Sequence, residues 1–441
     1  MDLVLIGYTT RYREGGAELQ RAAECLARRE RARGAHVRCL AIERKDALLA
    51  EFSALSAAGD RLQALHLFTH SGLYGPMFGT TAWPEQLSPA EWRATTIPFA
   101  PGAEAYFHAC RTARWFAPFF ARTFGVPASG YHWYTTFSAR PDRFRKPDYA
   151  DPDAEVYLVG FPGRTSHGVF ASVGKYAGLT HAEPLKRFVP TPPGGDTTYD
   201  AVAAGYDAVF SDIAVRKKEI AWLERHLDGA VAALRPPEGR LRVLDLGCGN
   251  GALLQRWQHR LREGIGVDAS AGMLAHARAR NAAHPHLRFA QIDGPRLPLP
   301  DHSVDVAVSL LSFRYLDWDP MIAELQRVLV PEGRLLIVDM AAKAPSVREL
   351  PRLLADTARH RLAARSLPDY RAALGRLVRD PAWQTMLDYN PIRAWHEYAF
   401  FLESRFPGHA VELLDIGRTA RVLAFDSGPM RAIRPREETW P

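Results

Sequence analysis

Short apolar runs alternate with amphipathic stretches along the first 190 residues of the chain. The apolar runs predict five strands, over Leu3–Tyr8, Val37–Ile42, Ala64–Thr69, Ala105–His108 and Tyr131–Phe137. Between the strands, apolar residues recur with helical spacing and predict helices over Ala17–Arg33, Lys45–Ala58 and Ala113–Phe124. Strands that alternate with helices in this way are typical of an α/β fold with a largely parallel sheet.

A segment rich in Pro and Gly interrupts this pattern at residues 189–196, and we predict that it is a linker. Beyond it, further apolar runs predict the strands of a second sheet: Arg242–Leu246, Glu263–Val267, Leu287–Gln291, Val304–Ser309, Arg334–Val338, Val411–Ile416 and Ala420–Phe425. The chain is therefore expected to form two α/β domains, over residues 1–188 and 197–441. A helical insertion at about residues 341–410 separates the fifth and sixth strands of the second domain.

The composition is that of a packed, soluble protein. Of the 441 residues, 47% are hydrophobic and 24% are charged, which argues against a disordered chain and a membrane bundle. The net charge is +7, from 56 basic and 49 acidic residues. Because these charges are spread over both predicted domains, we expect no nucleic-acid partner.

Cysteine usage and the longest apolar runs indicate the compartment. No two of the four cysteines have metal-binding spacing, so we predict neither a metal site nor a disulfide framework, and a cytoplasmic location fits best. The apolar run Leu3–Ile6 is too short for a signal peptide. No run reaches the roughly 20 residues that span a bilayer. The sequence thus predicts no integral membrane segment, and it leaves the oligomeric state open.

A glycine-rich loop follows the first strand of the second domain. The strand ends at Asp245, and glycines follow at positions 247, 249 and 251 before a helical pattern begins. Glycines allow sharp turns and the close approach of a ligand, and the next helix offers free N–H groups at its start. Asp268 comes 21 residues after Gly247, at the end of the next strand, where a carboxylate can accept hydrogen bonds from ribose hydroxyls. Because a dinucleotide motif tolerates Ala at position 252, the loop alone leaves two nucleotide-binding folds open.

The wider pattern resembles the class I S-adenosylmethionine-dependent methyltransferases, and most closely the branch with ubiquinone and menaquinone methyltransferases. Their first motif is an acidic residue followed by G-x-G-x-G, which Asp245, Gly247, Gly249 and Gly251 match. The resemblance spans roughly residues 199–340 and continues through four more blocks: Gly266–Ser270, Gln291–Asp293, Leu297–Asp305 and Arg327–Ile337. It implies a Rossmann-like, seven-stranded domain that binds S-adenosyl-L-methionine and methylates a small-molecule acceptor.

The resemblance also implies cofactor contacts at the positions that match the family. Asp245 and the glycine loop would hold the methionine end, and Asp268 would bind the ribose hydroxyls. Asp293 would accept a hydrogen bond from the adenine amino group, with Ile292 beside the ring. Leu310, just past the fourth strand, would contact the cofactor amine through its backbone.

Two other segments would enclose the ligands. Tyr206 lies in the family's helix before the first strand and would cover the cofactor. The insertion at 341–410 would form a helical lid over the acceptor, and its aromatic residues either line an apolar pocket or pack in the core: Trp383, Trp395, Tyr398, Phe400 and Phe401.

Methyl transfer needs a general base only where the acceptor must lose a proton. His302 lies in a loop that usually flanks the cofactor in this family, and His396 lies in the segment that usually borders the acceptor. Tyr315 is a third candidate. A structural role is the alternative for each of them.

The first domain has a histidine and a cysteine at two predicted strand ends. The run Ala64–Thr69 is followed by His70, and the run Ala105–Ala109 is followed by Cys110. Neighbouring parallel strands would bring both side chains to the carboxyl edge of the sheet, where an imidazole can activate a thiol. His108 is a second imidazole near this thiol. The alternative is that Cys110 and His70 are structural residues.

Residues 1–140 resemble the caspase-like cysteine peptidases, in which one strand ends in His-Gly and a later one in Ala-Cys or Ser-Cys. Ala109-Cys110 fits this pattern, whereas Ser71 replaces the glycine that the family prefers after the histidine. The resemblance implies a caspase-like α/β domain with a His70/Cys110 dyad. Three hypotheses stay open: a methyltransferase with an inactive first domain, a protein with two enzymes that also cleaves a peptide or acyl substrate, and a cofactor sensor without methyl transfer.

Overall fold

A computed structural model of the chain describes residues 1–11, 16–72, 75–79, 85–162, 173, 175–177, 180–190, 198–342, 349–365, 368–390, 392–416 and 420–430. The chain divides into two compact units. Unit 1 comprises Met1–Gly195 with Asp388–Pro391, and unit 2 comprises Asp196–Leu387 with Ile392–Pro441. Most of the predicted linker at 189–196 lies outside the described residues.

Unit 1 alternates strands and helices from its first residues. Its strands are β1 (Asp2–Thr9), β2 (Val37–Ile42), β3 (Arg61–Phe68), β4 (His70–Gly72), β5 (Gly75–Met77), β6 (Phe99–His108), β7 (Ala128–Gly130), β8 (Tyr134–Ser138), β9 (Tyr157–Phe161) and β10 (Lys186–Phe188). Its helices are α1 (Ala17–Ala32), α2 (Lys45–Ala58), α3 (Pro89–Ala94) and α4 (Phe116–Phe124).

The main sheet of unit 1 has six strands in the order β10-β7-β6-β3-β1-β2. All of its pairs are parallel except β10–β7. Alternating side chains of the strands are buried on both faces of the sheet. Val4 and Ile6 of β1 pack with α1, whereas Leu3 and Leu5 belong to a larger core that includes residues of α2, α3 and α4.

The structure confirms the α/β pattern of unit 1 and corrects one strand. Residues 131–137 do not form a single strand, because the chain leaves the main sheet after β7. It then pairs again as β8 with β9 in a separate antiparallel hairpin. The pairs β4–β5 and β7–β10 were not predicted, since their three-residue strands are too short to show an alternating pattern.

Unit 2 begins with two helices and then alternates strands and helices. Its strands are β11 (Leu241–Leu246), β12 (Leu261–Asp268), β13 (Leu287–Gln291), β14 (Val304–Leu310), β15 (Leu329–Ala342), β16 (Glu412–Ile416) and β17 (Ala420–Asp426). Its helices are α5 (Ala203–Phe210), α6 (Lys217–Leu234), α7 (Ala252–Trp257), α8 (Ala271–Arg280), α9 (Trp318–Val328), α10 (Leu350–Arg365), α11 (Pro368–Arg379), α12 (Pro381–Tyr389) and α13 (Trp395–Arg405).

The sheet of unit 2 has seven strands in the order β13-β12-β11-β14-β15-β17-β16. The first five are parallel, and β17 is antiparallel to both β15 and β16. The strand order reverses between β11 and β14, so the carboxyl ends of these strands border the crevice where ligands bind in open α/β sheets. The sheet is therefore Rossmann-like, and every strand predicted in this half of the chain is present.

The predicted insertion is helical. Helices α10 to α13 lie between β15 and β16, as the sequence pattern indicates. Strand β15 is longer than predicted and starts at Leu329, because its amino end pairs with Val304 of β14. Within the described ranges, no helix has both the length and the apolar character that a membrane crossing requires.

Candidate functional site

The loop between β11 and α7 needs glycine at three positions. Gly247, Gly249 and Gly251 have φ angles of 70°, 54° and 72°, in the left-handed region that side chains disfavour. A Cβ on Gly247 would overlap Ser312, and one on Gly251 would lie 2.7 Å from Asn281 Nδ2. At Gly249, by contrast, the nearest atoms are 3.8 Å away or more. The loop is thus packed at both ends and leaves space at its middle glycine.

Asp268, the last residue of β12, is tied to this loop. Its carboxylate accepts hydrogen bonds from the backbone N–H of Gly249 and that of Ser270, both at 2.9 Å. Burial raises the pKa of this carboxyl, and the two backbone donors oppose the increase. A carboxylate has about four acceptor positions, so Asp268 keeps capacity for the hydroxyls of a ribose.

Asp245 lies at the base of the loop and is almost fully buried, with 2% of its surface exposed. Burial, together with the negative charge of Asp268, raises its pKa to about 8. Burial destabilises the charged form of this carboxyl, and a cationic ligand beside it would stabilise that form. The ammonium group of a bound amino acid moiety is such a cation.

The chain before β11 is attached to the glycine loop by hydrogen bonds. Asp200 accepts from the hydroxyl of Ser270 at 2.6 Å and from the backbone N–H of Gly272 at 2.7 Å. Asn250 of the loop donates to Asp207 of α5 at 2.8 Å. The segment that carries Tyr206 is therefore held beside the loop from both sides.

An aromatic cluster surrounds Tyr206. A Cβ built on Gly249 would lie 4.0 Å from Cε1 of Tyr206, which is the second-nearest atom to that position. Its ring contacts those of Tyr199 and Trp383, with centroids 5.8 and 6.4 Å away. The hydroxyl of Tyr199 is 3.0 Å from that of Tyr315. We call these four residues the aromatic cluster: Tyr199, Tyr206, Tyr315 and Trp383.

The remaining predicted cofactor residues lie at the same edge of the sheet. Ile292 is buried just past the end of β13, and its N–H donates to the carbonyl of Asp268 at 3.0 Å. Asp293 follows it and is exposed. Leu310 is the last residue of β14, and the next residue, Leu311, has a φ of 61°. Their contacts with a cofactor stay predictions.

The candidate bases fall in different places. His302 lies before β14, at the amino end of the strand, where its Nδ1 is 2.9 Å from the carbonyl of Leu329. This corrects the expectation that its part of the loop flanks the cofactor, because the cofactor loop is at the opposite edge of the sheet. His396 belongs to α13, but the structure does not describe its side chain. Tyr315 is half-exposed in the aromatic cluster.

A buried ionic network, not predicted from the sequence, lies next to Tyr315. Asp339 of β15 is fully buried and accepts four hydrogen bonds. The donors are Arg314 Nη1 at 2.5 Å, the Arg314 N–H at 2.9 Å, the Tyr398 hydroxyl at 2.8 Å and the Met340 N–H at 2.7 Å. Burial and the Asp339 charge raise the pKa of Tyr398, which keeps its proton as the donor. The only hint in the sequence is an acid inside an apolar run.

In unit 1, His70 and Cys110 follow neighbouring parallel strands. Phe68 of β3 pairs with His108 of β6, so both candidates lie two residues past a paired position, at the carboxyl edge. The hydrogen bonds of Cys110 Sγ are with the N–H and hydroxyl of Thr135, both at 3.3 Å. The sheet thus brings the two elements together, while a direct contact between imidazole and thiol stays a prediction.

His108 turns out to have another partner. Its Nε2 is 3.1 Å from Nδ1 of His66 on β3, and its ring stacks on Phe68 at 4.1 Å between centroids. Burial lowers the pKa of His66 to about 3, and that of His108 also lies well below its usual value because of burial and of His66. Both lowered pKa values favour the neutral imidazoles, which stack on Tyr106 and Phe68.

Comparisons with known proteins match the part of unit 2 that contains the glycine loop. Residues 244–337 match the family model described as a methyltransferase domain. This part of the chain is therefore similar to class I methyltransferase domains, whose cofactor is S-adenosylmethionine.

Two curated methyltransferases match part of the chain. The malonyl-[acyl-carrier protein] O-methyltransferase of Pectobacterium atrosepticum is 36% identical over 120 residues, which cover 27% of this chain and 46% of that protein. The demethylmenaquinone methyltransferase of Thermus thermophilus is 34% identical over 125 residues, covering 27% and 54%. The chain thus spans about half the length of these relatives.

Two solved structures also match part of the chain. A SAM-dependent methyltransferase from Aquifex aeolicus has 17% identity and a TM-score of 0.28, with 42% of this chain and 81% of that chain covered. An S-adenosylmethionine-dependent methyltransferase from Mesorhizobium loti has 33% identity and a TM-score of 0.22, with 26% and 53% covered.

Proposed function

We propose that the protein transfers the methyl group of S-adenosylmethionine to a small-molecule acceptor. The observation that carries this proposal is the glycine loop, which is packed at Gly247 and Gly251, open at Gly249 and bordered by Asp268. An open glycine beside a carboxylate with spare acceptor positions fits a ligand that carries a ribose.

The residues that would hold the cofactor lie along one edge of the sheet. Asp245 would pair with the ammonium group of the methionine end, and Asp268 would accept from the ribose hydroxyls. Ile292 and Asp293 would contact the adenine, and Tyr206 would cover the ligand from α5. When bound, the cofactor supplies a methyl group already activated by its sulfonium charge.

The chain's own contribution is therefore alignment and exclusion of water rather than proton transfer. The aromatic cluster provides apolar surface beside the loop, and the hydrogen bonds of Asp200 hold the segment carrying Tyr199 and Tyr206 in place. No general base is needed for an acceptor that is already ionised. For an acceptor that is not ionised, Tyr315 at the outer side of the cluster is a candidate general base.

The acceptor class follows from the relatives only as a proposal. Names among them specify a malonyl group on an acyl-carrier protein and a demethylmenaquinone. We propose that the acceptor is a small molecule or an acyl group on a carrier, and that the lid helices α10 to α13 border it.

Transfer of radiolabelled methyl from S-adenosylmethionine tests the proposal. Wild-type protein is incubated with hexanoate, a demethylated quinol and malonyl-pantetheine, and product is separated from cofactor. We expect label in at least one acceptor, and its loss in Asp268→Ala. Binding of S-adenosylhomocysteine without transfer to any acceptor would favour a cofactor sensor instead.

We infer a second candidate activity for unit 1 from the placement of His70 and Cys110 past paired strands. A caspase-like dyad would cleave a peptide or acyl substrate through the Cys110 thiolate. Iodoacetamide should then label Cys110 faster at pH 7 in the wild type than in His70→Ala. Equal labelling rates of Cys110 in the two proteins would argue for an inactive domain.

A further inference from the structure

Helix α12 (Pro381–Tyr389) carries the chain from unit 2 into unit 1. Its residues up to Leu387 belong to unit 2, whereas Asp388 and Tyr389 belong to unit 1. A helix of 9 residues is marginal in water by itself, because isolated helices need about 12–15 residues. Its place in the protein therefore depends on the side chains that hold its two ends.

Tyr389 holds the carboxyl end of α12 in the core of unit 1. The residue is 6% exposed, and its ring meets that of Phe188 edge to face, with centroids 5.4 Å apart. Its hydroxyl donates to the carbonyl of Val189 at 2.9 Å and accepts from the N–H of the same residue at 3.2 Å. Arg122 Nη1 donates to the carbonyl of Tyr389 at 3.4 Å, which gives a partner to one of the last carbonyls of the helix.

Trp383 holds the other end of α12 in the aromatic cluster of unit 2. Its ring lies 6.4 Å from that of Tyr206 and 6.3 Å from that of Tyr199, measured between centroids. Tyr206 in turn borders the open position at Gly249. Trp383 and Tyr389 are separated along an α-helix by about 9 Å on its axis and about 240° around it. The two side chains therefore leave the helix on different faces, and each packs within its own unit.

A short helix held in this way connects the freedom of its two ends. Rigid secondary elements carry coupling between distant residues, because they move as one body. Loss of an anchor at one end frays the terminal turn and gives the other end more freedom. A cofactor that packs against Tyr206 would then have to order Trp383 as it binds, which lowers its affinity.

We propose that Tyr389 is a positioning residue of the methyl-transfer site. Unit 1 holds Tyr389, and α12 thereby fixes Trp383 against Tyr206. The proposal rests on the proposed methyltransferase function and gives unit 1 a part in it. That part depends on no reaction of His70 and Cys110, so it applies to an inactive first domain as well.

Hydrogen exchange on the full chain tests the coupling in both directions, since coupling between two sites is reciprocal. Peptides covering residues 199–210 report on the aromatic cluster, and peptides covering residues 185–190 report on the segment that Tyr389 contacts. S-adenosylhomocysteine is added at about 20 times the Kd of each protein. In the wild type we expect it to slow exchange at least about threefold in both regions. An unchanged rate in residues 185–190 would overturn the proposal.

Tyr389→Phe keeps the ring in the core and removes both hydrogen bonds to Val189. Without the cofactor, exchange in residues 199–210 should be about threefold faster than in the wild type, and calorimetry should show an increase of about threefold in the Kd for S-adenosylhomocysteine. The response of residues 185–190 to the cofactor should fall below about 1.5-fold. A full response in this variant would contradict the role of Tyr389.

Tyr131→Phe is the matched control. Tyr131 is also a buried tyrosine of unit 1, and its hydroxyl donates to the carbonyl of Leu158 at 2.8 Å. Its loss should destabilise unit 1 to a similar degree and leave the Kd and both exchange responses as in the wild type. Equal behaviour of Tyr131→Phe and Tyr389→Phe would mean that Tyr389 acts only through the stability of unit 1.

Trp383→Leu changes the other end of α12 and no side chain of unit 1. The response of residues 185–190 to the cofactor should be lost in this variant too, because the helix would no longer be held at the aromatic cluster. A response as large as that of the wild type would show that α12 does not carry the coupling.

These outcomes separate the two proposals. Absence of S-adenosylhomocysteine binding to the wild type would reject the methyltransferase function on which the role of Tyr389 rests. Binding that is equally strong in the wild type and in Tyr389→Phe would leave that function intact and reject the role of Tyr389.

Discussion

The backbone N–H of Gly249 donates a hydrogen bond of 2.9 Å to Oδ2 of Asp268. This contact joins the two motifs of the site, because the open glycine of the loop and the acid at the end of β12 lie 19 residues apart in the chain. In the proposed complex with S-adenosylmethionine, it would set the distance between the methionine end and the ribose of the cofactor.

Asp268→Asn is expected to weaken cofactor binding. The amide removes the negative charge and presents a donor where the loop and a ribose both need an acceptor, which should raise the Kd for S-adenosylhomocysteine about 10- to 100-fold. Calorimetric titration measures it. Asp301→Asn, at an exposed acid that pairs with Arg327, should bind like wild type. A Kd for Asp268→Asn within twofold of wild type would show that this acid does not bind the cofactor.

Cofactor binding should also release a proton from Asp245. Its pKa of about 8 in the free protein means that about nine in ten carboxyls are protonated at pH 7. An ammonium group beside the carboxyl lowers that pKa, so S-adenosylhomocysteine should displace close to one proton. Titrations in buffers with different ionisation enthalpies count it.

Asp245→Asn provides the control, since its amide has no proton to release. Binding to this variant should show no dependence on the buffer enthalpy and a weaker affinity. An unchanged proton count in the variant would mean that another group titrates, and it would contradict the pairing of Asp245 with the ammonium.

The segment before β11 should become mobile when Asp200 is changed. Asp200→Ala removes the acceptor for Ser270 and Gly272, so peptides covering residues 199–210 should exchange amide hydrogens faster. Cofactor affinity should fall about tenfold, as expected for the loss of one or two hydrogen bonds to a charged group. Asp212→Ala is the control: it removes a local hydrogen bond from the N–H of Ala214, which does not involve α8. It should leave the cofactor affinity unchanged. Equal effects of the two variants would contradict this role.

Local patterns were sufficient to predict the sheet of unit 2 and the glycine loop. The loop and Asp268 lie at strand ends, where the apolar periodicity stops. Neighbouring positions in the sequence were therefore enough to identify them. Asp200 and Arg314 could not be predicted in this way, because their partners are 70 and 25 residues away in the chain. His302 was placed at the wrong edge because the loop between β13 and β14 crosses the sheet from its carboxyl to its amino end.

The histidine pair of unit 1 should make that unit sensitive to acid. In the unfolded chain His66 takes up a proton near pH 6.5, whereas in the folded protein burial lowers its pKa to about 3. The unfolded state therefore binds more protons below pH 6.5, and stability falls as the pH decreases from about 6.5 toward 3. At pH 5.5 the loss is about 1.4 kcal/mol for this residue.

His66→Gln should reduce this acid sensitivity, because glutamine can still hydrogen bond with His108 and does not titrate. The groups that face the pair are Arg29 of α1, whose charge also opposes protonation, and Tyr106, whose ring stacks on His66 at 4.5 Å. Hydrogen exchange of peptides from β3 and β6, corrected for intrinsic rates and compared at pH 7.5 and 5.5, measures local stability. His181→Gln, at an exposed histidine, should show the wild-type difference between the two pH values. The same difference in His66→Gln would mean that His66 is not the acid-sensitive group.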